Sequence, residues 1–414
     1  MANARNNAIH AVFRASQFAV AWWGKGSRSE RGRSMKNMRW SVSGILATLV
    51  LAIPSVHAAG SIVGPIKAKS YSKLTFGPNG ILFLGDSLGA RIYALDLDDR
   101  TPLATVKPLQ ISDLESKLAG MLGIDAGDVL IHDMAVNPIS KNTYFTVSRG
   151  RRNFAMDFQL PNDIASASAL LRITPSGEIQ EVRLDNVKHS FVEVSNPINE
   201  KAEEAWKKSK QRVDVISDMA FADGKLYVAG LSNEEFSSTM RIYPFPFDGP
   251  GTASSLEIYH GSHGKYETNS PIRAFLPLKI KGREHLLASY LCTPVVLFET
   301  DQLKDKKHVK GTTIGELGSG NYPLDMVAFR WRGKDWIMVV NSTRGVLLIS
   351  IEDLEKPLPS ITTKIEDTAG VPIQYLRNRG VLQVENYGEK NLLLLSRDLL
   401  SGQVNLATLS TDVS

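Results

Sequence analysis

A short pattern written about six times constrains this chain more than any other feature. It begins at Tyr71-Ser72-Lys73-Leu74-Thr75-Phe76 and returns at Ile131-His132-Asp133-Met134-Ala135-Val136 and at Ile216-Ser217-Asp218-Met219-Ala220-Phe221. Further copies follow at residues 270–275 and 323–329, with a weaker one at residues 372–376. Most copies run into a Gly- or Asn-bearing turn and then a second β-rich run, such as Ile81 to Leu84, Leu226 to Ala229 or Val381 to Glu385. Third runs follow at Arg91 to Leu95, Ala169 to Ile173, Met240 to Tyr243, Val295 to Glu299 and Val346 to Ile349. Self-similarity at this period, built of short strands and turn residues, is the mark of an antiparallel four-stranded unit repeated along the chain.

Such sheets are stable when both faces are covered, and a radial arrangement packs each sheet on its neighbours while shielding its edges. The reading is therefore all-β: one β-propeller of six or seven four-stranded blades with short helical insertions. A two-sheet sandwich is the alternative, but it does not require the repeated inner-strand motif. Strand-forming residues at Ile62-Val63 are expected to complete the last blade. Two segments break the rhythm. Ser112 with Glu115 three residues later signals a helix start in residues 110–128, and residues 199–212, rich in Glu, Ala and Lys, read as an exposed helix.

On these repeats the chain resembles the exported bacterial β-propellers of the NHL-type and lactonase-type class. The resemblance covers nearly all of residues 59–414 and is one of fold only. No WD dipeptide repeat, kelch di-glycine or quinoprotein tryptophan-docking motif is present to carry an activity.

The amino-terminal region has another character. Lys36 and Arg39 precede an apolar run from Ile45 to Ile53, then Pro54 and Val56-His57-Ala58, the order of a secretory signal with cleavage near Ala58. Residues 1–34 are then a leader extension, with translation from Met35 as an alternative start, residues 35–58 the signal, and 59–414 the propeller. The apolar run is short for a bilayer span, which needs about 20 residues, so the expected compartment is periplasmic or secreted with no membrane span after cleavage. The whole chain has 48 basic and 43 acidic residues; setting residues 1–58 aside leaves 40 and 42, a formal charge of −2. The basicity belongs to the leader, and no nucleic-acid partner is expected. The single cysteine, Cys292, excludes an intrachain disulfide.

Propeller topology brings the starts of inner strands and the turns between second and third strands to one face, and candidate residues are read there. Asp133, Asp218 and Asp325, each followed by Met, either cap turns by accepting backbone N–H bonds or form a ring of carboxylates for a hard cation such as calcium. Arg273, with Arg149 and Arg344, is a candidate clamp for a carboxylate or phosphate; the alternative for Arg273 is an ion pair with Asp218 or Asp325. The segment Tyr259-His260-Gly261-Ser262-His263-Gly264-Lys265-Tyr266-Glu267 holds two of eight histidines. His260 and His263, with Glu267 or Cys292, are candidate ligands of a divalent transition metal, zinc or copper; plain surface histidines and a buried cysteine are the alternative.

Walker-type, His-Glu-x-x-His and nucleophile-elbow motifs are absent. The expectation is a propeller that binds a small polar or anionic molecule, with or without a metal, at one mouth of its channel. Two other readings stand beside it: a metal-dependent hydrolase or oxidoreductase, and a scaffold for a protein partner.

Overall fold

The computed structural model describes residues 60–149, 168–204, 209–292, 294–376 and 378–412. The signal and leader segments lie outside these residues, as does the part of the basic run Arg149-Gly150-Arg151-Arg152 that follows Arg149.

Six sheets form six blades around a closed ring, antiparallel except for one added strand, His308–Lys310, which runs parallel to Thr252–His260. Their innermost strands are Leu74–Phe76, Val129–Val136, Asp218–Ala222, Ala274–Ile280, Pro323–Trp331 and Val381–Asn386. Alternating apolar residues on both faces of each sheet drive the packing, and six separate apolar clusters fill the six gaps between neighbouring blades. Numbering blades by their innermost strands in chain order, these clusters join the second blade to the first, the first to the third, and so on through the fourth, fifth and sixth back to the second. The first two blades thus stand in the ring in the reverse of their order in the sequence.

The reversal follows from how two blades are assembled. The first blade takes three strands from residues 74–96, but its fourth is Val187–Glu193, which pairs with Arg91–Asp96 only after the whole second blade has been built. The sixth blade takes three strands from residues 381–410, and its fourth is Gln110–Ile111, paired with Leu406 and Ala407. Ile62–Gly64 pairs with Val187–His189 on the outer edge of the first blade. That corrects the expectation that it closes the last blade. The blade count is six. The sequence also misplaced one unit by a strand: Gln374–Leu376 is the outer strand of the fifth blade, and Val381–Asn386 is the innermost of the sixth, where it had read as a second strand.

Helix Leu114–Leu122 starts one residue later than the Ser112 signal implied, behind Asp113, and ends at Gly123 in a left-handed conformation. Leu114, Leu118 and Leu122 bury one face of it against the second and sixth blades. Residues 199–212 show no α-helix among the described residues; they hold the hairpin Glu203–Glu204 with Ser209–Lys210, then a 3-10 turn. Tertiary anchoring wins over propensity here: Arg212 is buried and donates to the carbonyls of Leu88 and Ile198.

Candidate functional site

The three Asp-Met pairs fall on alternate blades of the ring and behave alike. Asp133 accepts the Leu74 N–H at 2.7 Å, Asp218 the Phe275 N–H at 2.9 Å and Asp325 the Val384 N–H at 2.7 Å. Each therefore ties its own innermost strand to that of the next blade, always in the same direction round the ring. The other oxygens of Asp218 and Asp325 accept the N–H groups of Met219 and Met326. The six-bladed ring thus carries a three-fold pattern of carboxylate bridges.

Those bridges lie along a central cavity of about 670 Å³. Glu385 joins them, and Lys73 places its Nζ 3.5 Å from Asp133. Four carboxyls with one ammonium cannot all ionise cheaply in an enclosed space. Burial pushes Asp218 up to about 7, with Asp133 adding repulsion and Lys73 opposing it. Burial and the neighbouring acids push Asp325 up to about 8 and Glu385 well above the usual carboxylate range. Glu385 was missed in the sequence because its strand was read one place out.

The arginines do not join this cavity as a clamp. Arg273 donates to both oxygens of Asp214, at 2.6 and 3.3 Å, with both side chains about one-tenth exposed. Its partner is therefore neither Asp218 nor Asp325. Arg344 pairs with Asp367 at 2.7 Å on the surface, and Arg149 is exposed at the end of its strand. What the fold gathers at the axis is acid, which repels the anion that these arginines were expected to hold.

The histidine segment assembles a second constellation between the third and fourth blades. Thr252–His260 is the fourth strand of the third blade and turns back through residues 261–264 into Lys265–Glu267. The Glu267 carboxylate grips both rings: Oε2 accepts from His260 Nδ1 and Oε1 from His263 Nδ1, each at 2.7 Å. A carboxylate only accepts, so both Nδ1 atoms carry hydrogen, and in the neutral rings both Nε2 lone pairs remain available. The rings lie 3.8 Å apart at 35°. A nitrogen of each and the Cys292 sulfur all fall within 4.8 Å of one another.

Several forces hold that geometry. Ser270 gives Glu267 a further hydrogen bond at 2.9 Å. Burial raises the Glu267 carboxyl, but the hydrogen bonds from His260 and His263 outweigh it and pull it down to about 2. Burial opposes charge on His260, yet Cys292 and Glu267 together raise it to about 9. The hydrogen bond with His260 lowers the Cys292 thiol in turn. His260 Nε2 is buried and makes no conventional hydrogen bond; its polar neighbour is the Cys292 sulfur. Cys292 itself sits at φ +57°, a costly conformation for a residue with a Cβ, and is fixed there by donating its N–H to the Asn321 carbonyl at 3.0 Å.

All four residues marked as metal candidates are brought together, but Glu267 stands behind the histidines: both its oxygens are occupied in orienting them. Sequence reasoning missed two contributors. Asn321 is fully buried and braces the Cys292 turn. Glu316, 1% exposed, accepts the Gly261 N–H at 2.6 Å. Its carboxyl is raised to about 7 by burial. Neither carried a motif, because both reach the site from strands and turns distant in sequence.

No protein-family profile and no curated protein matches the chain. Among solved structures it is similar to extracellular domains 1–2 of Drosophila Semaphorin 1b, at 9% identity and TM-score 0.36, over 85% of this chain and 86% of that one. It is also similar to a Thermus thermophilus oxidoreductase described as a glucose dehydrogenase (12%, TM-score 0.34, 84% and 100%). A third is the PQQ-bound aldose sugar dehydrogenase of Streptomyces coelicolor (14%, TM-score 0.31, 85% and 98%). Likenesses at this level transfer no ligand and no activity, so the chain is a six-bladed β-propeller on the strength of its own strand pairing.

Proposed function

We propose that this chain is an exported β-propeller that binds one zinc- or copper-class ion through His260, His263 and Cys292. The observation that carries the reading is the single Glu267 carboxylate holding both Nδ1 atoms while a nitrogen of each ring and the thiol sulfur converge within 4.8 Å. A carboxylate behind metal-bound imidazoles is the usual device for fixing their tautomer and orientation. A His2Cys donor set suits a borderline or soft divalent ion better than calcium, which takes six to eight oxygens. The oxygens of Asp218 and Asp325 are, besides, already engaged with backbone N–H groups.

Three protein donors leave a coordination position for a small molecule, the pattern of catalytic rather than structural zinc. The function that follows is metal-dependent chemistry on a small polar ligand. Export rests on the signal pattern of residues 35–58. No helix among the described residues is long and apolar enough to cross a membrane.

Elemental analysis of the mature protein purified without chelator, beside a His260→Ala, His263→Ala variant, tests this directly. One equivalent of zinc or copper, lost in the variant, is the expected result; metal-free wild-type protein that also takes up no added zinc or copper overturns it.

A further inference from the structure

Glu316 is buried beneath the histidine turn, where the N–H groups of Gly261 and Ser262 act on its carboxylate. Oε1 accepts the Gly261 N–H, and the fit is close enough that a Cβ added at Gly261 would lie 2.6 Å from it. Oε2 is buried and has no hydrogen-bond partner. A buried, unpartnered carboxylate oxygen costs on the order of 1–3 kcal/mol or more, so its retention calls for an occupant. His260 and Cys292 act on it electrostatically. His260 Nε2, also buried, has only the Cys292 sulfur as a polar neighbour. Glu316 is not among the donor atoms that converge within 4.8 Å.

We infer that the open side of the His260–His263–Cys292 centre takes a neutral donor that carries a proton, water first and a hydroxyl-bearing ligand in its place, hydrogen-bonded to Glu316 Oε2, and that it disfavours anions. The inference rests on the metal reading above and adds the ligand class. An acceptor-only oxygen rewards a ligand O–H and repels a ligand that brings negative charge. The exposed flank of the site is His263, whose side chain is 43% exposed.

The test uses mature protein loaded with cobalt(II), whose thiolate charge-transfer absorption reports Cys292 ligation, titrated with azide as an anionic probe at mildly alkaline pH. Glu316→Gln keeps an oxygen for the Gly261 N–H and removes the charge. The expected result is unchanged cobalt stoichiometry and thiolate absorption, with azide bound about tenfold more tightly than by wild type, as removal of a nearby like charge requires. Glu316→Asp, which retains the charge, should stay within about twofold of wild type. Equal azide affinity in wild type and Glu316→Gln overturns the inference, as does loss of thiolate absorption in Glu316→Gln, which would make Glu316 a ligand. Should Glu316→Gln fail to fold, an azide affinity of Glu316→Asp more than tenfold tighter than wild type overturns it and one within twofold supports it. Wild-type protein that binds no cobalt would instead count against the metal reading itself.

Discussion

Replacing Asp325 by Asn should change the way stability depends on pH, and the direction can be worked out from the channel. In the folded protein burial and neighbouring acids hold the Asp325 carboxyl at about 8, against an ordinary value of 3.8. Below about pH 4 folded and unfolded chains both carry the proton, and the group contributes no slope. Between about pH 4 and pH 8 the folded chain keeps a proton that the unfolded chain has lost, so stability falls as pH rises, by about 1.4 kcal/mol per pH unit for one such group. Above pH 8 both states are ionised and the slope ends. Asn removes this titration but also a hydrogen bond: its one oxygen cannot serve both Met326 N–H and Val384 N–H, at a cost of about 1–3 kcal/mol. Asp325→Asn should therefore be the less stable protein at pH 4.5 and should draw level near pH 6, a crossing set by about two pH units of the wild-type slope. Urea denaturation of both proteins at half-unit steps from pH 4.5 to 8.5 measures this. Parallel profiles across that range would refute the claim that the channel keeps this carboxyl protonated.

Other perturbations probe separate parts of the structure. Glu267→Gln should weaken metal binding about 10- to 100-fold, read by competition with a chromogenic chelator, because one amide cannot accept from both Nδ1 atoms; an unchanged affinity would separate Glu267 from the centre. Arg273→Ala should cost about 3–5 kcal/mol by stranding Asp214, and an added Asp214→Ala should restore part of the loss; a single variant within about 1 kcal/mol of wild type contradicts the buried pair. Ile111→Asp puts a charge at a 6%-exposed position in the core between the second and sixth blades and should lower stability by about 3 kcal/mol or more, whereas exposed Gln110→Ala should be silent. An undisturbed thermal midpoint in Ile111→Asp would argue against closure by this strand.

Much of the fold was written in local chemistry. Inner, second and third strands of five blades follow from alternating apolar residues between turns, because burial of both faces imposes that pattern wherever a blade forms. What the sequence conceals is which distant strand completes a blade. Gln110–Ile111 is two residues of regular pairing, too short to carry a periodicity, and its partners lie near the far end of the chain. Residues 374–376 and 381–386 resemble each other as strands, so position in the blade could not be told from composition. His260, His263 and Cys292 stood out in the sequence as rare residue types, and the fold brings them within 4.8 Å of one another. Glu316 did not, being one acid among many, distinguished only by the unfilled oxygen that the fold leaves it. The partner of Arg273 was not legible either: its guanidinium pairs with Asp214, which no repeat marks.

The split construction of two blades also sets an order of events. Leu109 donates to Thr408, a partner 299 residues away, and the strand that follows it has no other edge to pair with until the last three strands exist. The first blade likewise waits for residues 187–193. A chain that emerges amino terminus first therefore carries one open edge on the first blade until residues 187–193 arrive and leaves Gln110–Ile111 without its partner until residues 404–410 arrive, each open to pairing with another chain. Such long-range closure slows folding and ties it to completion of the carboxyl end. Truncation before Val404 should accordingly abolish the ring as a whole, since the last blade and the second are sealed in one step.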